Sequence, residues 1–151
     1  METYKSKMPE IKLILKKGEV LKCKIKESKD AADLFRQIWD KDSLELYESF
    51  ICIYLNRANN TIGWLKISQG GLSGTVTDVR LILATALGCA ASGMIMAHNH
   101  PSGNINPSDS DSKITQKIKE GGNIMDIQVL DHIILSGENE DYYSFADNGF
   151  I

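Results

Sequence analysis

The chain has 151 residues, 42% hydrophobic and 25% charged, which gives one folded domain with room for a core and excludes a disordered segment. A net charge of −3 argues against a broad phosphate-binding face, and no run of about 18 apolar residues exists to span a membrane. Three widely spaced cysteines (Cys23, Cys52 and Cys89) and a polar start over Met1–Glu10 fit free thiols in a reducing compartment, so the cytoplasm is the expected location.

Ile11–Lys17 and Val20–Lys26 alternate apolar and polar residues across Gly18, which predicts a strand pair. Lys12, Lys16, Lys17, Lys22, Lys24, Lys26 and Lys29 read as its solvated face. Ser28 is the expected N-cap of an amphipathic helix carrying Ala31, Leu34, Phe35, Ile38 and Trp39 on one stripe. Tyr47–Asn56 is β-rich and turns through Ala58-Asn59-Asn60 into a second run, Thr61–Ser68. Gln69–Gly74 is a glycine-rich loop without the lysine of a phosphate cradle. Thr77 is placed to cap a helix reaching about Leu87, with Gly88 at its end. Ser92–Ala97 reads as a short strand and Ser108–Glu120 as a helix stopped by Gly121-Gly122. Ile124–Leu135 is strand-like with a break, and Gly137–Asp141 turns into Tyr142–Phe145. Trp39 and Trp64 are expected in the core. The order is α/β: a mixed sheet flanked by helices.

The run His98-Asn99-His100-Pro101-Ser102-Gly103, followed by Ser108 and Asp111, carries the chemistry. Residues i and i+2 of an extended strand face the same side, so the two imidazoles can converge on one ion. Asp111 adds a carboxylate from the start of the next helix. Two histidines and one carboxylate leave a fourth position open, which is what a catalytic zinc requires. Ser108-x-x-Asp111 also reads as a helix capping box, and both roles are compatible. The literal string His-Asn-His is no evidence for the nuclease motif of that name, whose residues are spread over many positions.

A zinc in such a site lowers the pKa of its water to about 7. A carboxylate from elsewhere must then shuttle the proton. Glu48, an acid at the start of an apolar strand, is the candidate, and Glu45 or Glu120 is equally allowed by spacing alone. His132 reads as structural, oriented by Asp131, with a role behind the metal as the other reading.

His-x-His, seven residues, then Ser-x-x-Asp, with an upstream Glu, resembles the JAMM motif of JAB/MPN-type metalloproteases. His98–Gly103, the Asn-Pro-Ser-x-x-Asp-x-x-x-Thr that follows, Val129–Ile134, Tyr143–Asp147, and Gly74 and Arg80 are similar to the RadC-like branch, over about Leu44 to Ile151. The resemblance implies a JAB/MPN, cytidine-deaminase-like α/β fold. Residues 1–42 would supply a strand pair and helix of the same domain, and 43–151 the catalytic core. It implies one zinc ion held by His98, His100 and Asp111, with Glu48 as general base and Ser108 as oxyanion donor. The activity implied is a zinc-dependent peptidase or isopeptidase acting on a peptide or protein, with Gln69–Gly74 and Pro101–Pro107 lining the pocket.

Two departures stand out. Asp78-Val79 precedes Arg80 where many of these proteins carry His-Pro, and the helix-hairpin-helix module of longer relatives is not read in this sequence. The second departure and the acidic balance disfavour a DNA-repair or mobile-element role with nucleic acid as partner. A non-catalytic interaction module of the same fold would require lost ligands. An iron oxygenase, which also uses two histidines and a carboxylate, would place them on a β-barrel.

Overall fold

The two β-rich runs in the middle of the chain pair as an antiparallel hairpin, β1 (Ser49–Leu55) and β2 (Thr61–Gln69). Its turn is fixed by the Asn56 side chain, which accepts the N–H groups of Ala58 at 2.9 Å and Asn60 at 3.0 Å, while Asn59 adopts φ 60°. On its other side β1 pairs antiparallel with β3 (Gly93–His100). A parallel pairing then joins β3 to β4 (Gln128–Ser136), and β5 (Tyr142–Ser144) closes the sheet antiparallel to β4. The strand order is β2-β1-β3-β4-β5. This computed structural model describes residues 8–12, 14, 22–70 and 76–151.

Among the described residues three α-helices flank the sheet: α1 (Ser28–Ile38), α2 (Val79–Gly88) and α3 (Asp109–Ile124). Alternation along the central strands divides the core in two. Ile51, Ile53, Ile95, Ala97 and Ile133 face α1 through Ala31, Leu34 and Phe35. Phe50, Cys52, Tyr54, Met94 and Met96 face α2 and α3 through Ile82, Ala86 and Ile118. The mixed α/β sheet flanked by helices is the architecture expected from the sequence.

Local differences have physical causes. The helix at Gly121-Gly122 does not stop there but runs to Ile124. A Cβ at Gly122 would lie 2.5 Å from the Ile127 carbonyl oxygen, so this glycine serves close packing, and the left-handed turn falls at Asp126, φ 56°. Ile124 therefore belongs to α3 and not to the strand. Ser28 does not cap α1: Glu27 precedes the helix, Asp30 accepts the N–H groups of Lys26 and Glu27, and the Ser28 hydroxyl donates to Asp147 near the C-terminus. Asp78, not Thr77, caps α2, accepting from the N–H groups of Arg80 at 2.9 Å and Leu81 at 3.4 Å. Trp39 is buried, but Trp64 is 47% exposed, because it lies on edge strand β2 while α1 packs over β4. The expected pair Ile11–Lys17 and Val20–Lys26 lies largely outside the described residues; within them Lys24 makes one antiparallel bridge, to Asn60.

Candidate metal centre

β3 runs three residues past its expected end and carries both histidines as ladder residues, His98 opposite Phe50 and Ile134, and His100 opposite Ser136. Their side chains leave the sheet on the α2/α3 face, at the carboxyl ends of the two parallel strands, where α/β sheets commonly place their sites. The two Nε2 atoms lie 3.0 Å apart. Asp111, in the first turn of α3, places Oδ1 3.2 Å from His98 Nε2 and Oδ2 3.4 Å from His100 Nε2. Glu48, just ahead of β1, places Oε1 3.6 Å from His100 Nε2. Glu48, His98 and His100 each offer a ligand atom within 4.8 Å of the others, a candidate metal-binding triad.

The donor chemistry suits a cation. His100 Nδ1 is hydrogen-bonded to the Asn104 carbonyl, which only accepts, so Nδ1 carries the proton of the neutral ring and Nε2 presents a lone pair. That lone pair faces a second imidazole and two carboxylates, all acceptors. Such a cluster is stable only around a proton or a metal ion. Burial works to lower the His100 pKa, but the Asp111 carboxylate, the Asn104 carbonyl and the Glu48 charge together raise it. Burial works to raise Asp111, yet the adjoining His100 and His98 rings and the Ser108 N–H hold its carboxyl well below the usual range. His98, His100, Asp111 and Glu48 thus fit a borderline metal such as zinc.

Ser108 is the N-cap of α3: its hydroxyl oxygen accepts from Asp111 N–H at 3.0 Å, and its own N–H donates to Asp111 Oδ2 at 2.8 Å. The capping box is therefore present in the same residues as the candidate ligand set. Glu48, Ser108, Asp111 and the two histidines share an open cleft of about 760 Å³ with an apolar wall of Phe50, Val76 and Ile114. Pro101–Pro107 does not line this cleft; it lies behind His100 and supplies the Asn104 carbonyl. Of Gln69–Gly74, only Gln69 and Gly70 are among the described residues, and neither lines it. Arg80, 94% exposed in its side chain, leans on Asp78 at 3.6 Å and faces solvent.

Two further groups support the centre: Asn99, which no pattern in the sequence marks, and His132, for which a place behind the metal was the second of two readings. Asn99, fully buried on the opposite face of β3, accepts from Ser49 N–H at 2.8 Å and donates to the carbonyls of Leu44 at 2.8 Å and Tyr47 at 3.0 Å. It clamps the segment that carries Glu48. His132 is also fully buried, with Nε2 2.8 Å from His98 Nδ1 and Nδ1 2.6 Å from Thr115 Oγ1. Its ring is not oriented by the Asp131 carboxylate, which binds the His132 backbone N–H at 2.7 Å and the Ser144 hydroxyl at 2.6 Å. Burial among Phe50, Phe145 and the other imidazoles pushes the His132 pKa far down, so the ring is neutral.

A mixed sheet with paired histidines at the end of a central strand and an acid at the next helix start defines a JAB-type domain. The family model described as "RadC-like JAB domain" matches residues 25–150, and the chain belongs to that family. It is 42% identical over 132 residues to a UPF0758 protein of Flavobacterium johnsoniae, covering 87% of this chain and 56% of that one. It is 38% identical over 104 residues to the UPF0758 protein YfjY of Escherichia coli, covering 69% and 64%, and to a UPF0758 protein of Porphyromonas gingivalis, covering 69% and 45%. The chain thus spans about half the length of these curated relatives. Among the described residues no helix is long and apolar enough to cross a membrane.

Proposed function

We propose that this protein is a metal-dependent hydrolase, a zinc peptidase or isopeptidase, in which His98, His100 and Asp111 hold the ion and Glu48 moves protons. The observation that carries this reading is the meeting of two Nε2 atoms 3.0 Å apart with both Asp111 oxygens within 3.4 Å. A zinc ion in this place supplies Lewis acidity, bringing water to a pKa of about 7 and polarising a carbonyl. Asp111 suits the ligand role because its carboxylate touches both imidazoles and is locked by the Ser108 N–H. Glu48 suits the base role because its carboxylate faces the same cleft and stands 3.6 Å from His100 Nε2, farther than either Asp111 oxygen stands from its imidazole. From there it takes a proton from the attacking water and returns it to the leaving nitrogen. Capping α3 uses a lone pair of Ser108 Oγ and leaves its O–H to donate to the oxyanion. Phe50, Val76 and Ile114 give the substrate an apolar wall. A peptide or protein is the substrate class that fits, and the cytoplasm, with its reduced thiols, is the compartment that fits.

The test is metal content followed by turnover. Purified protein is expected to hold about one zinc per chain, with loss in Asp111→Asn and His100→Ala. Glu48→Gln is expected to keep the metal and lose peptide hydrolysis. If Glu48→Gln loses the metal while Asp111→Asn retains it, the two carboxylates exchange roles. A wild-type protein that takes up no zinc from a defined buffer sinks the hydrolase reading.

A further inference from the structure

Behind the centre, away from the cleft, a chain of hydrogen bonds runs from backbone to ligand and permits one arrangement of protons. Thr115 Oγ1 donates to the Asp111 carbonyl at 2.7 Å. The hydroxyl has one proton, so toward His132 Nδ1, at 2.6 Å, it can only accept. His132 Nδ1 therefore carries that ring's proton, and Nε2 is a bare acceptor. His98 Nδ1, 2.8 Å away, must donate to it. The proton of the His98 ring is then fixed on Nδ1, and its Nε2 lone pair points to His100 and Asp111.

We infer that Thr115 and His132 are positioning residues that hold His98 in the Nδ1–H tautomer and so keep Nε2 open for a metal ion. The inference rests on the metal reading above and adds to it a device that sets the proton on a ligand from 17 residues away. The relay is enclosed: Thr115 and His132 are fully buried, and the His132 ring is stacked on Phe145 at 4.9 Å and tilted against Phe50 at 5.4 Å. A space-filling role would need only the shape of these side chains. The proton order needs a hydroxyl at 115 and an acceptor at 132.

The chain holds three histidines, so ring nitrogens labelled with 15N are few enough to assign. In metal-free wild type and in Thr115→Ser, His98 and His132 are expected as Nδ1–H tautomers. Thr115→Val, equal in shape but without the hydroxyl, is expected to release His98 into mixed tautomers. Its zinc affinity, read by competition with a chromophoric chelator, should fall about 10- to 100-fold. Should Thr115→Val fail to fold, His132→Gln and His132→Leu replace it. The Gln oxygen can still accept from His98, so only His132→Leu should lose affinity. An Nε2–H tautomer at His98 in the wild type overturns the inference, as does unchanged zinc affinity in Thr115→Val or in His132→Leu. An Nδ1–H tautomer at His98 in a wild type that binds no zinc supports the relay and overturns the hydrolase reading instead.

Discussion

The side chain of Asn99 accepts the backbone N–H of Ser49 at 2.8 Å, tying the strand that bears both histidines to the residue that follows Glu48. Its amide also donates to two carbonyls, of Leu44 and Tyr47, so one buried side chain holds three backbone groups of the adjoining segment. Leaving such groups without partners costs about 1 to 3 kcal/mol each. Asn99→Ala is expected to lose roughly 3 kcal/mol of unfolding free energy in urea, and Asn99→Asp to do no better, since a carboxylate cannot donate to two carbonyls. Zinc uptake should survive in whatever folded protein remains while hydrolysis falls, because Glu48 and not the imidazoles would move. Full stability in Asn99→Ala would contradict the clamp.

Gly122 is a second fixed point. Alanine is the better helix former by about 1 kcal/mol, yet a methyl group here would sit 2.5 Å from the Ile127 carbonyl oxygen. Overpacking of that kind costs about 1 to 3 kcal/mol, so Gly122→Ala should lower Tm by several degrees. A raised Tm would show that the turn after α3 yields freely.

Burial of Asp131 makes stability depend on pH. Burial raises its pKa, against the hydrogen bonds from Ser144, Ala146 and His132 that lower it. With the folded pKa above the unfolded one, the folded state binds more protons in the window between them. The contribution to stability is then full below the unfolded value and declines as pH rises through the folded value. Asp131→Asn removes this component. Its stability relative to wild type should improve steadily as pH rises from below the unfolded carboxylate pKa. A difference that does not change with pH would refute the assignment.

The thiols should divide in two. Cys52 is fully buried on β1 and burial pushes its pKa up, whereas Cys23 and Cys89 are half-buried. A thiol reagent at pH 8 is expected to modify Cys23 and Cys89 first and Cys52 only at the rate of global unfolding. Cys52→Ala should abolish the slow phase alone. Fast modification of all three thiols would place Cys52 at the surface.

How much of this could be read beforehand depended on the range of each signal. His98 and His100 were legible because strand alternation puts residues i and i+2 on one side, and Asp111 because Ser108-x-x-Asp111 marks a helix start. Glu48 was marked by its place at the start of an apolar strand, but spacing alone allowed Glu45 and Glu120 as well, and only the family resemblance set them apart. The sheet and its helices were legible from periodicity, but Gly121-Gly122 looked like a stop because close approach to Ile127 has no local pattern. The same holds for Asn99, whose partners lie 50 to 55 residues away, and for the contact of His132 with His98, 34 residues away. Side-chain hydrogen bonds across such separations follow from the fold and leave no period in the sequence. Trp64 was misplaced for a related reason: hydrophobic size does not reveal which strand becomes an edge.

His98 sits in the ladder between Phe50 on one side and Ile134 on the other. Its imidazole is thereby anchored on the middle strand of the sheet, while Asp111 stands on the first turn of a helix. Opening of the centre should begin at that helix. Amide hydrogen exchange would then find the α3 start exchanging by local fluctuation and the His98 region only with whole-molecule unfolding, so ions would enter and leave by the helix side without disturbing the sheet.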